Sequence, residues 1–333
     1  MKTVLLSHDS GSEKGNRLIQ DIFISRFGNP VLNIMEDAAI LENVARPVFT
    51  TDSFTVKPIF FPGGDIGKLA VAGSCNDLAV RCAKPVYMSA SFIIEEGFSQ
   101  DDLETITDSM KKECEINNVQ IVCGDTKILP KGSLDGIFIN TAAIGDLQKE
   151  HPGSRGLQKG HSLIVSGPVG DHAAVILMKK KGLEFESSLE SDCRSLWKDI
   201  EILLKEDIEI ICMRDITRGG LSGVLHEWAS NASVKIAVHE NAVPVQDPVK
   251  GFSALTGIDP MHLACEGTFL LAVPTEPAES VLSLMRQRET MKDASIIGEA
   301  EAAVEKPEVL LVTETGVKRN LEMPSGEHLP RIC

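Results

Sequence analysis

The chain has 333 residues, 43% of them hydrophobic and 24% charged, with a formal net charge of -15. That length implies two domains rather than one core, and the acidic balance argues against nucleic acid or an anionic membrane as partner. It leaves nucleotides open, because divalent cations carry phosphates into acidic sites.

Strand-like and helix-like runs alternate from the start. Residues 3–8 ("TVLLSH") read as a strand, and 16–27 as a helix with Leu18, Ile22 and Phe23 on one face. Residues 47–56 read as a strand and 65–83 as a helix of small residues lying close to a neighbour. The apolar "VYMSASFIIEE" is a strand, and the helix at 99–118 opens with Ser99 as N-cap and acids in its first turn. "VQIVCGDT" and "GIFINTAAIG" are strands. The polar, Gly- and Pro-bearing stretch at 145–161 marks a domain boundary. Beyond it the pattern restarts as strand 162–170, helices 171–182 and 196–206, strand 208–215 and helix 219–230. Strands 234–240 and 268–274, helix 277–289 and strand 294–301 follow, and "EVLLVTETG" closes the fold. The alternation gives an α+β or α/β chain, with domains at 1–152 and 153–312 and a tail at 313–333. No signal peptide and no run of about twenty apolar residues is visible, so a cytoplasmic protein without membrane contact is expected.

The standard nucleotide motifs fail. "GGDIGKL" imitates a P-loop, but its spacing is one short and Leu69 stands where Ser or Thr is needed. What recurs is an aspartate at the end of an element, beside small residues: Asp37, Asp52, Asp77, Asp125 and Asp215. One such residue is commonly a turn. Several together offer Mg²⁺ the hard oxygen ligands it takes, and Mg²⁺ carries phosphates. Lys127, at the end of an apolar strand, is either a solvated lysine or a phosphate contact or base. Glu266, between apolar runs, is either a helix-end residue or a functional carboxylate. His8 leads a Gly/Ser loop that suits either a turn or a phosphate cover.

The eight cysteines are scattered with no CxxC pair, a reduced pattern. Seven sit in apolar or small-residue contexts. Cys333 ends "PSGEHLPRIC", where two prolines and a glycine oppose helix and central strand. That segment is expected to be exposed and mobile, its thiol either an accident of position or a carrier on a swinging arm.

"CGDTK", "SGPVGDHA", "RDITRGGL", "ACEGT" and the final "PRIC" resemble, nearly end to end, the HypE family of hydrogenase maturation factors. These carbamoyl dehydratases belong to the superfamily of aminoimidazole ribonucleotide synthetase, selenophosphate synthetase and thiamine monophosphate kinase. The resemblance implies an α+β (α/β-type) two-domain PurM-like fold, in which the N-terminal half supplies strands to a dimer-spanning β-barrel and the C-terminal α/β half covers it. It implies ATP and Mg²⁺, with Asp37, Asp52, Asp77 and Asp125 at metal and phosphate positions. Lys68, Asn76, Thr126, Asp215, Thr217 and His8 fall near the nucleotide, and Cys333, Lys127 and Glu266 on the chemistry. Glu36 stands where the family often has a first aspartate before "AA". The implied reaction converts a thiocarboxamide on Cys333 to a thiocyanate, supplying cyanide for the iron of [NiFe] hydrogenase. The implied partners are a second copy of the chain, HypF as carbamoyl donor and a HypC–HypD complex as acceptor. The rivals are another ATP-dependent phosphotransferase of the superfamily and a non-catalytic metal chaperone or scaffold with a docking thiol.

Overall fold

Two sheets, each covered by its own helices, organise the chain in a computed structural model that describes residues 2–9, 13–36, 38–182 and 188–323. The first contains β1 (Pro47–Phe54), β4 (Ala83–Glu95), β5 (Gln120–Leu129) and β6 (Ile137–Leu147) in the order β1-β6-β4-β5, with a small hairpin of β2 (Phe60–Phe61) and β3 (Gly64–Asp65) beside it. Only β4 and β5 run parallel. The helix between them, α4 (Gln100–Asn117), supplies the long crossover that a parallel pair needs. The short helices α1 (Glu13–Leu18) and α2 (Ser25–Phe27) are joined by a π-helical stretch, and α3 (Ile66–Val80) lies on the sheet.

Helix α3 is buried along almost its whole length, which its small residues permit. An added Cβ at Gly73 would lie 2.9 Å from the Phe54 ring of β1, and one at Gly67 would lie 2.3 Å from the Ile106 carbonyl oxygen of α4. The two glycines thus bring α3 close to strand on one side and helix on the other. Its first turn is fixed by Asp65, which accepts from the N–H groups of Gly67 (2.7 Å) and Lys68 (3.1 Å) and from the Ser109 hydroxyl of α4.

The second sheet has the order β13-β12-β9-β11-β7-β10-β8, antiparallel except for β9 and β12. Its strands are β7 (His161–Val165), β8 (Cys212–Asp215), β9 (Val234–His239), β10 (Phe269–Pro274), β11 (Ser295–Ala303), β12 (Glu308–Val312) and β13 (Lys318–Asn320). The helices of this half are α5 (Asp171–Lys180), α6 (Trp197–Lys205), α7 (Gly220–Ala232), α8 (Asp247–Thr256) and α9 (Ala278–Arg286). Residues of α7, with Trp228 and Leu225, pack with one face of the sheet, and those of α6 and α9, with Trp197 and Met285, with the other. Strand β7 is therefore buried throughout. Helices α5 and α8 instead join the core of the first half through Ala173, Ile176, Val249 and Phe252, so the halves are locked together by apolar contact.

Some expectations shift. The segment 3–8 contributes one bridge, Thr3 to Ser99, and then a 3-10 turn at Leu6–His8. Helix α3 ends at Val80, and Cys82 (φ +59°) turns the chain into β4. Helix α8 escapes the sequence pattern because Pro248 and Gly251 interrupt it and only Val249 and Phe252 are buried. The tail expected from residue 313 first forms β13, whose three exposed residues give no alternation, and Leu321 beyond it is buried. The first sheet is open among the described residues. Gly67→Ala is expected to destabilise the fold by about 1–3 kcal/mol, because overlap with the Ile106 carbonyl outweighs the gain of about 1 kcal/mol in helix propensity. A urea midpoint equal to or above wild type contradicts this.

Candidate functional site

Strand β1 alternates, with Val48, Thr50, Asp52 and Phe54 facing the helices. Thr50 Oγ1 donates to Asp77 Oδ2 of α3 at 2.6 Å, which sets the Asp77 carboxylate beside β1. Asp215 ends β8 and is buried, as is Glu266 on the loop before β10. Asp52, Asp77, Asp215 and Glu266 all line one cleft of about 1040 Å³ between the halves, with Thr217 and Arg218.

The "DITRGG" turn and the "ACEGT" loop are strapped side by side. Ile216 N–H donates to Thr268 O (2.9 Å), and Cys265 N–H to Ile216 O (2.7 Å). Gly219 and Gly220 have φ of +85° and +61°. At Gly220 a Cβ would also lie 2.5 Å from Met261 O, so the turn needs glycine for both conformation and space.

The crowding of acids sets their protonation. Burial, then the Asp77 charge, pushes Asp215 up to about 7. Burial and Asp77 also raise Asp52, against the pull of Arg218, and burial followed by Asp192 and Asp215 raises Glu266 well above the usual carboxylate range. Among the described residues, no three His, Cys, Asp or Glu side chains form a ready metal cage. The carboxylates fit a cation that brings its own phosphate and water ligands, as Mg²⁺ does; Asp52 and Asp77 would hold it.

A second group stands elsewhere. Asp52 pairs with Thr141, Thr141 with Ala90, and Ala90 with Gly124, a row that faces the helices. Asp125 and Lys127 lie one step off that row, on the opposite face of β5, three strands or about 14 Å from β1. Both are more than half exposed, with Lys127 Nζ 3.9 Å from Asp125 Oδ2; Thr126 lies between them. The His8 loop lies against this strand, where Ile128 N–H donates to Asp9 Oδ1 (3.0 Å). His8 Nδ1 accepts from Leu5 N–H (2.9 Å), and burial together with Lys14 holds its imidazole below the ordinary range.

Lys68 Nζ donates to Gly63 O at 2.8 Å and does not line the cleft. Asn76 bridges the halves: its Nδ2 donates to the carbonyls of Arg194 (3.0 Å) and Glu266 (3.2 Å), and its Oδ1 accepts from Leu196 N–H (2.8 Å). Asp37 and Cys333 lie outside the described residues. The chain does approach the cleft, however. Glu322 O accepts from Ser222 Oγ (2.9 Å) and His262 Nε2 (3.1 Å), and His262 lines the cleft. Arg218, within "RDITRGGL", also lines the cleft beside the acids, and Asp192 carries no motif. Cys75, Cys82, Cys114, Cys193, Cys212 and Cys265 are buried; burial pushes the Cys82 and Cys114 thiols up to about 11 and about 12, which keeps them unreactive.

The AIR synthase related protein family matches with its N-terminal domain at residues 35–147 and its C-terminal domain at 158–309. Carbamoyl dehydratase HypE of Escherichia coli (strain K12) is 40% identical over 341 residues, covering 100% of both chains. The chain belongs to the HypE family. The crystal structure of the hydrogenase maturation protein HypE in complex with ATP is similar with a TM-score of 0.95 at 40% identity, covering 99% of this chain and 100% of that one. The crystal structure of a HypE–HypF complex is similar with a TM-score of 0.80 at 42% identity, covering 92% and 99%. The fold is thus the two-domain PurM-like one. No helix among the described residues is long and apolar enough to cross a membrane.

A carboxyl that keeps its proton up to about pH 7 in the folded chain, as Asp215 does, has lost it from about 3.8 in the unfolded one. The contribution of Asp215 to stability is therefore fullest below about pH 4, falls as pH rises to about 7 and levels off above. Asp215→Asn is expected to make that fall shallower, leaving the variant more stable than wild type at pH 8. Urea midpoints at pH 5 and pH 8 that drop equally in both proteins contradict the assignment.

Proposed function

We propose that the protein is an ATP-dependent carbamoyl dehydratase that works on its own Cys333. The observation that carries the reading is the anchoring of Glu322 by Ser222 and His262 at the rim of an acidic cleft, in a chain similar from end to end to carbamoyl dehydratase HypE. From that anchor, the residues to Cys333 span at most on the order of 35 Å when extended, enough to enter the cleft or to meet another protein.

The substrate is the thiocarboxamide on the Cys333 sulfur, S–C(=O)NH2. Its oxygen is a poor leaving group until ATP phosphorylates it. Removal of both nitrogen protons with departure of phosphate leaves S–C≡N, with ADP and phosphate as the other products. Mg²⁺, when bound, neutralises phosphate charge. Asp52 and Asp77 would hold the cation, Asp215 and Thr217 lie beside them, and Glu266 orients the amide and takes up its protons. The cleft limits water around the reactive carbon. The carbamoyl group comes from HypF, the cyano group passes to HypC–HypD for hydrogenase iron, and the unpaired thiols suit a reducing cytoplasm.

One chain keeps Lys127 and Asp125 away from Glu266, and a homodimer resolves this. The outer face of the first sheet carries Phe49, Ile144, Tyr87, Ile93 and Phe138 around small polar residues, and Phe49 is 67% exposed. The outward residues of β1, Phe49, Thr51 and Ser53, also line the cleft. A second copy on that face brings its own Asp125 and Lys127 to the cleft of the first, while Thr126 between them faces inward beside Phe92. Asn76 supports this shared site by tying α3 to the Glu266 main chain, and His8 by standing in the loop whose Asp9 holds Ile128 N–H of β5.

Intact mass after incubation with the carbamoyl donor is expected to show one added carbamoyl group, and then loss of one water with ATP; Cys333→Ala gains neither change. A carbamoyl group on Cys333→Ala sinks the carrier role. Mixing Lys127→Ala with Glu266→Gln chains is expected to restore part of the dehydration that each lacks alone, since one site of the mixed dimer has both native residues. No restoration, with mixed dimers demonstrated, places both residues in a one-chain site and contradicts the shared arrangement.

A further inference from the structure

Glu266 is held from both sides of its main chain. The Asp192 carboxylate accepts from Glu266 N–H (3.0 and 3.2 Å to its two oxygens), Gly267 N–H (2.9 Å) and Thr268 Oγ1 (3.1 Å). Gly267 is needed there, since an added Cβ would lie 1.8 Å from Asp192 O. From the other side Glu266 O accepts from Asn76 Nδ2 (3.2 Å) and Arg194 N–H (3.4 Å). Glu266 is buried and borders the cleft, so a main chain gripped at both polar atoms fixes where its side chain begins. Charge-assisted hydrogen bonds of this kind are stronger than neutral ones, and three donors on one carboxylate make Asp192 the main restraint on the turn.

We propose that Asp192 is a positioning residue for dehydration: its carboxylate braces the Cys265–Thr268 turn so that Glu266 meets the carbamoyl group on the Cys333 sulfur. The inference rests on the reading of Glu266 given above. A second effect supports it. The Asp192 charge, after burial, is the largest cause that raises Glu266, and it also helps burial lift Asp171, whose carboxylate accepts from Gln246 Nε2, to about 7. The Asp192 charge therefore raises the proton affinity of Glu266, which suits a group that takes a proton from the amide nitrogen.

The test compares full-length proteins loaded with carbamoyl by the donor enzyme, following loss of water by intact mass in a single turnover with ATP. ATP affinity and the urea midpoint are measured alongside. Asp192→Ala is expected to slow dehydration about ten- to a hundredfold, the scale of a small misplacement of a reacting group, with carbamoyl loading and ATP affinity within about twofold of wild type. Asp192→Asn keeps an acceptor oxygen and is expected to recover part of the rate. Thr268→Val removes one donor at nearly constant volume and is expected to slow the step by a few-fold while remaining folded. Dehydration at the wild-type rate in Asp192→Ala and Thr268→Val, with Glu266→Gln inactive, overturns the brace and leaves the role of Glu266 standing. So does a rate that falls only in step with ATP affinity. A fully active Glu266→Gln instead removes the reading on which the brace rests.

Discussion

Mutual repulsion among carboxylates is the constraint around which this molecule is built. Asp52 from a strand, Asp77 from a helix, Asp215 from a strand end and Glu266 from a loop converge on one cleft. Burial and each other's charge keep Asp52, Asp215 and Glu266 reluctant to ionise. Such a cluster costs stability unless protons or a cation neutralise it. The rest of the fold holds the acids together regardless. Helix α3 is wedged between β1 and α4 by glycines, α5 and α8 pack into the first half's core, and Asn76 ties α3 to the Arg194 and Glu266 main chains.

The same physics explains the division of labour that we propose. A crowded acidic pocket suits a cation and its phosphates, and Arg218 stands among its acids. Lys127 stands on the far face of the first sheet, with Asp125 Oδ2 3.9 Å from its Nζ. In the proposed arrangement, pairing of two copies through that face would bring Lys127 of one copy to the cleft of the other.

Much of this was legible in the sequence. Most of the strand and helix order followed from periodicity, and the small-residue run at 65–83 pointed to a helix lying close to a neighbour. The aspartates at element ends were visible as a set, and three of them, Asp52, Asp77 and Asp215, do share the cleft. The sequence did not show that Asp125 belongs to the other face, because a strand residue's side depends on register through two intervening strands. Helix α8 was hidden by Pro248 and Gly251, and β13 by its brevity. Asp192 was invisible for a different reason: its role lies in accepting backbone N–H groups from a loop about seventy-five residues away, as the turn at Glu266 and Gly267 shows, and no local pattern encodes such a contact.

In the reading proposed here, the acids of the cleft exchange protons for a nucleotide-borne cation when MgATP binds. Calorimetric titration with MgATP at pH 7, run in two buffers of different ionisation enthalpy, measures that exchange directly. Net proton release is expected on binding of MgATP, diminished when Asp215 is replaced by Asn. Identical heats in the two buffers, with binding evident in both, contradict a cation seated among these carboxylates.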